Sequence, residues 1–344
     1  MKQRCSVIVG FALLALISIH TQALEPEGEE VQMKEEHSDV LEYYAQPGIM
    51  TNPKDHAKLL DALPKEISEL CTVVQGLVVH TYWAKRYGID LSEERKKEAN
   101  IRSAAYMLDR IQKLSDLPLI EKRPLEKRLV GTCRDFSTLL CAMLRHKGIP
   151  ARARCGFGKY FTPDSYEDHW ICEYWNADEG RWIMVDAQLD EFQRDVLKIQ
   201  LDPLDVPRNQ FVIAGKAWLI CRRKEAEPEK FGFGAELRGM WFIRGNVVRD
   251  FLSLNKLELL PWDGWAFMED GEQKTAADDM KMLDHISELA LAGNEALQEI
   301  RSIHKNHDRL CMEADWDPMG EDAELVRDIS AIENEKSEKD GDHD

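Results

Sequence analysis

Between residues 131 and 186 the hydrophobic period of the chain switches from helical to alternating, which restricts the fold more than any other feature. Gly131-Thr-Cys-Arg-Asp-Phe-Ser137 opens an apolar stretch in which Phe136, Leu139, Leu140, Met143 and Leu144 recur at helical spacing. Thr132 followed by Asp135 resembles a capping box in its shorter carboxylate form, so Thr132 is the expected N-cap and Cys133 the first helical residue. Gly148 and Pro150 close that helix. Strands are expected over 152–161, 169–176 and 181–188, with Asn176-Ala-Asp-Glu-Gly180 as a hairpin turn. A helix packed on an antiparallel sheet is an α+β arrangement.

The same stretch carries a Cys, a His and an Asp in an order that suits nucleophilic chemistry. A thiol at the start of a helix feels the positive end of the macrodipole and unsatisfied N–H groups, and both favour a thiolate. His169, at the start of a strand, is placed to act as base, and Asp186, closing Trp182-Ile-Met-Val-Asp186, to orient the imidazole. A lone Cys on a helix is usually an inert core thiol, and Cys141, two turns further in, fits that description. Cys133 differs by standing at the helix mouth with the two other residue types in order. The oxyanion formed by thiolate attack needs a donor besides the Cys133 backbone N–H. Gln75 and Trp83, read as lying on the helix before the motif, are candidates, each with a structural role as the alternative. Arg134 is expected in solvent or in an ion pair. Arg152 and Arg154 share a strand face and are expected to pair with carboxylates, while Trp170 beside the base stands where it would narrow a cleft.

Together with Gly148-Ile-Pro-Ala-Arg152 and Asp168-His-Trp170, these segments resemble the transglutaminase-like superfamily. The resemblance covers residues 129–190 and implies a papain-like core with Cys133 as nucleophile, His169 as base and acid, and Asp186 as orienter. It further implies attack on an amide carbonyl through a thioester, followed by water in an amidase or peptidase or by an amine in a transglutaminase. A non-catalytic protein- or peptide-binding module on the same fold is the alternative. The flanking helices look like those of bacterial members.

Beyond this core, Leu59 to Trp83 recur at helical spacing with a break at Pro64, and Ser92-Glu-Glu-Arg opens a helix toward Leu114. Residues 211–222 and 239–254 read as apolar helices, 278–312 as one long amphipathic helix, and Pro261-Trp-Asp-Gly-Trp265 as a core-closing or docked loop. The N-terminus joins Met-Lys-Gln-Arg, an apolar run from Val7 to Ile19 and Thr21-Gln22-Ala23, the tripartite pattern of a secretory signal. The run is short of the roughly 20 residues a membrane span needs, so no stable insertion is expected after cleavage. The expected organisation is a signal at 1–23, a flexible acidic lead-in at 24–53, a catalytic domain with flanking helices at 54–265, a helical extension at 266–333 and a disordered charged tail at 334–344. A secreted or periplasmic location follows.

Removing Cys5 with the signal leaves seven cysteines, an odd number. Cys155 and Cys172 are expected on neighbouring strands, where they could pair. His304-Lys-Asn-His307 is a weak metal signal, and neither metal nor cofactor is expected. The formal charge of −18 opposes nucleic-acid binding; the expected partner is a protein or peptide substrate.

Overall fold

A computed structural model describes residues 38–264, 266–268, 276–311 and 316–341. The expected signal at 1–23 lies outside the described residues. The nucleophile helix α3 (Cys133–His146) follows α1 (Ile67–Leu77) and α2 (Ala104–Leu114), and the three pack through Leu70, Val74, Met107, Ile111, Leu140 and Leu144. Their common apolar face covers a six-stranded sheet formed by β3 (Ala151–Gly158), β4 (Tyr166–Asn176), β5 (Arg181–Val185), β6 (Phe211–Ile213), β7 (Phe231–Phe233) and β8 (Leu237–Arg238). The spatial order is β6-β3-β4, after which the long β4 pairs with β5 along its C-terminal half and with β7 at its start. All of these pairings are antiparallel except β4 with β7.

The opposite face of the sheet is covered by α4 (Ala214–Arg222), α5 (Met240–Leu254), α6 (Ala277–Ala292) and α7 (Leu297–Asn306), whose core includes Trp218, Val247, Phe251, Leu283 and Ile300. Coverage on both faces explains why every residue of β3 is buried. The 266–333 extension thus contributes part of the main core. No helix among the described residues is long and apolar enough to cross a membrane.

Several local expectations are revised. The helical period breaks after Leu77, and Val78–His80 form β1, parallel to β2 (Leu129–Gly131), with His80 in register with Gly131. Two adjacent β-branched residues favour a strand once a neighbour supplies the ladder. The stretch opened at Ser92 is divided, because Ser103 caps a second start by accepting from the Tyr106 N–H. Phe211–Ile213 are strand before α4 begins, and the helix expected over 278–312 divides at Gly293, whose φ of 73° an L side chain rarely adopts.

Residues 38–53, expected within the flexible lead-in, are ordered and docked. Positions 38–45 are helical, Val40, Tyr44 and Met50 are buried, the Tyr44 hydroxyl donates to Leu254 O at 3.0 Å, and Arg145 donates to the Thr51 hydroxyl at 2.7 Å. Apolar anchors spaced through an acidic stretch suffice where a groove receives them. The backbone of α8 (Pro318–Gly341) continues into the expected disordered tail, through Glu and Lys residues that favour helix. Asp322 of α8 accepts from the Arg102 and Ser103 N–H groups, both at 2.8 Å, and so ties the C-terminal region to the start of α2.

Candidate active site

The β2 strand delivers the chain to Thr132, which is extended, and α3 begins at Cys133. The Asp135 carboxylate accepts from the Thr132 N–H at 2.7 Å and from its hydroxyl at 3.2 Å. Arg134 is buried, pairs with Asp135 at 3.0 Å and donates to Glu258 O at 3.2 Å, so it is an internal ion-pair residue. A Cβ at Gly131 would lie 3.0 Å from the Asp135 carboxylate and 3.1 Å from Val78, so a larger residue would press the cap and β1 apart by a few tenths of an ångström. These contacts fix the first turn and with it the Cys133 sulfur.

His169 stands opposite Gly156 in the β3–β4 ladder, and Asp186 follows the last residue of β5. The pairing of β4 with β5 brings the two together: His169 Nε2 lies 2.8 Å from Asp186 Oδ2. The Tyr160 hydroxyl donates to that same oxygen at 2.7 Å, and the Gln188 N–H donates to Oδ1 at 3.1 Å. With Nε2 engaged by the carboxylate, the other ring nitrogen is left free of it, and Cys133 borders the same cavity as His169. Phe161 meets the imidazole edge-on with ring centroids 4.7 Å apart. The structure therefore brings Cys133, His169 and Asp186 into one contiguous group, all three buried.

Enclosure sets the electrostatics. Burial pulls His169 toward neutrality, but Asp186 and the thiol outweigh it and hold the imidazole at about 10, so it is protonated at neutral pH. Burial pushes the Cys133 thiol above its ordinary value, against the pull of His169 and the Trp170 N–H and with a further push from Asp168. The helix start alone led to the expectation of a depressed thiol; desolvation reverses that balance, and His169 is the chief group opposing it. In His169→Ala the push from burial is unopposed by the imidazole, so the midpoint of Cys133 alkylation by iodoacetamide is expected to move to higher pH. Peptide mapping across a pH series measures this, and an unmoved midpoint would dissociate the two residues.

Cys133 and His169 open onto a cavity of about 540 Å³ whose walls include His80, Trp83, Phe161 and Trp262. Tyr82, Phe233, Leu237 and Trp262, which also line it, are exposed by 60%, 38%, 44% and 47%, so large apolar groups gather at its mouth. Trp262 was expected in a core-closing or docked loop; here it forms part of the rim, while Trp265 lies outside the described residues. Trp170 is fully buried and does not border the cavity.

The two oxyanion candidates separate. Trp83 borders the cavity from a turn after β1, with the Arg86 guanidinium 4.6 Å above its ring. Gln75 does not: its side-chain N–H donates to Ala187 O at 3.2 Å, and it lines a different, much smaller space. The residue not singled out from sequence is His80, because a helical reading of 78–83 hides the strand that turns it toward the cavity. The valines ahead of it are the signal that could have found it.

Other expectations resolve through contacts. Arg152 pairs with Glu173 at 2.7 Å, and Arg154 pairs with Glu173 at 3.1 Å and Asp250 at 2.8 Å. Cys155 faces Trp170 across the ladder, not Cys172, whose sulfur instead approaches Cys141 at 3.3 Å; the seven described cysteines are free thiols. His304 contacts Leu310 O at 2.7 Å, and His307 accepts from the Arg309 N–H.

Residues 89–187 match the family described as the transglutaminase-like superfamily. The chain thus carries a transglutaminase-like domain within an α+β fold. Cys133, His169 and Asp186 fall inside the matched stretch, and Gln75, His80 and Trp83 precede it. Among solved structures, a provisionally named cysteine protease from Cytophaga hutchinsonii is similar at 20% identity with a TM-score of 0.30, over 49% of this chain and 44% of that one. The chain therefore spans less than half of that structure's length. A search of curated proteins gives no match.

Proposed function

We propose that the protein is a cysteine-dependent acyl-transfer enzyme acting on an amide carbonyl of a protein or peptide. The observation that carries this reading is the hydrogen-bonded His169–Asp186 pair beside Cys133, with His169 and Cys133 on one aromatic-walled cavity. In the proposed reaction Cys133 reacts as the thiolate of an ion pair whose proton stands on His169, and the sulfur attacks the carbonyl carbon to form a tetrahedral oxyanion. Collapse breaks the C–N bond, His169 returns a proton to the departing amine, and a thioester remains. Water or a primary amine, deprotonated by His169, then attacks the thioester. Cys133 leaves as thiol, and the product is an acid or a new amide. Asp186 holds the imidazole and stabilises its charge, assisted by Tyr160 and Gln188.

The domain supports a cysteine-dependent enzyme; the choice between hydrolysis and transfer is tested by one experiment. Purified protein is incubated with a mixed peptide library, with and without a biotinylated primary amine, and the products are read by mass spectrometry. Cleaved or deamidated peptides alone indicate a hydrolase, biotin on Gln side chains a transglutaminase. Neither product, together with retained peptide binding, would replace the enzyme by a binding module. The proposal includes export, on the strength of the tripartite segment at 1–23, and the N-terminal residue of secreted protein is its check.

A further inference from the structure

Thiolate attack places a negative charge on the carbonyl oxygen, and the cavity must supply donors already aimed at it. One is inherent in the helix: the Cys133 N–H belongs to the first turn of α3 and has no intrahelical acceptor. The second is not Gln75, which is spent on Ala187. His80 ends β1, opposite Gly131 in the parallel ladder, two residues before the nucleophile. It is only 8% exposed, and it borders the same cavity as Cys133 and His169. Its Nδ1 accepts from the Tyr82 N–H at 3.2 Å, so this nitrogen carries no proton and the ring proton sits on Nε2. Nε2 has no hydrogen-bond partner among the described residues and is not sealed within the core.

We propose that His80 is a catalytic residue of the acyl-transfer reaction, its Nε2–H binding the oxyanion together with the Cys133 N–H. The inference rests on the reading under Proposed function. Charge favours the assignment: burial and the neighbouring His169 hold His80 down at about 3, so it remains a neutral donor beside a protonated base. A neutral imidazole polarises a carbonyl without exchanging its proton with the base. The ring is fixed by the strand ladder and by the Tyr82 N–H, so little reorganisation accompanies attack.

The probe is acetyl-Phe-glycinal, an aldehyde that Cys133 converts reversibly to a tetrahedral thiohemiacetal, with iodoacetamide as the control because its alkylation creates no oxyanion. His80→Phe keeps an aromatic ring and deletes the donor, whereas His80→Gln keeps an N–H. In His80→Phe the aldehyde affinity is expected to fall about 10²-fold or more, with the iodoacetamide rate at Cys133 unchanged and partial recovery in His80→Gln. Unchanged aldehyde affinity would overturn the proposal. So would a parallel fall in both reactions, which marks a role in placing the thiol, or a loss confined to Trp83→Phe, which gives the donor to Trp83. A wild-type protein that alkylates but forms no thiohemiacetal would instead remove the acyl-transfer reading itself.

Discussion

Replacing Cys133 by alanine is expected to lower amide turnover by about 10⁴-fold or more, down to whatever binding and oxyanion contacts provide without a nucleophile. Among the described residues no other thiol borders the cavity. Cys141, the other thiol on α3, is wholly buried beside Cys172, and Cys155 is wholly buried on β3. The substitution removes a single sulfur from a position already held by the Thr132–Asp135 cap and by Arg134, so the melting temperature should move little. Since Cys133, His169 and Asp186 act as one unit in the proposed reaction, adding Asp186→Asn to Cys133→Ala should cost almost nothing further. Parallel measurement of kcat/KM and thermal unfolding decides the matter. Turnover surviving at a tenth of wild type would move the nucleophile elsewhere.

The second large effect falls on stability. Glu173→Ala is expected to destabilise the fold by about 3–5 kcal/mol, because it strips buried Arg152 of its paired carboxylate and leaves buried Arg154 with Asp250 alone. Glu173 is fully buried, 2.7 Å from Arg152 and 3.1 Å from Arg154, and these cations hold its carboxyl well below the usual carboxylate range. Burial opposes ionisation there but is outweighed. A depressed folded value means that the contribution is full above the unfolded value of roughly 4.3 and is lost as pH falls from there toward the folded value. The difference between wild type and Glu173→Gln in urea unfolding should therefore be large at neutral pH and shrink in strong acid. A constant difference would show that Glu173 acts by packing alone.

What was legible in the sequence depended on the range of the forces involved. The N-cap at Thr132, the start of α3 at Cys133 and the hairpin at 176–180 are written in neighbours three or four residues apart. The strands that follow carry alternation. The order of Cys133, His169 and Asp186 was readable for the same reason, since Cys133 opens α3, His169 lies in the first half of β4 and Asp186 follows β5. β1 was not, because three residues cannot show a period and its ladder partner lies some 50 residues away in sequence at Leu129–Gly131. That one misreading put Trp83 on a helix and left His80 unnoticed. The docking of 38–53 and the placing of Trp262 on the cavity rim depend on which groove and which wall the rest of the chain presents. Burial of the Cys133 thiol likewise belongs to the assembled molecule, and it outweighed the helix-start effect that the sequence made visible.

The fastening of β3 to α5 separates two ways of drawing a boundary. Arg154 reaches Asp250, the Cys155 N–H donates to Asp250 at 3.0 Å, and Ser253 donates to Ala153 O at 2.7 Å, all across the limit of the stretch 89–187 by which the domain is recognised. Excised at those limits, that stretch would keep its Cys, His and Asp and lose the partners that neutralise the back of its sheet. What is inherited as a signature and what can stand alone as a folded body are here different lengths of chain, and grafting the chemistry into another scaffold means carrying the helices behind the sheet along with the residues in front of it.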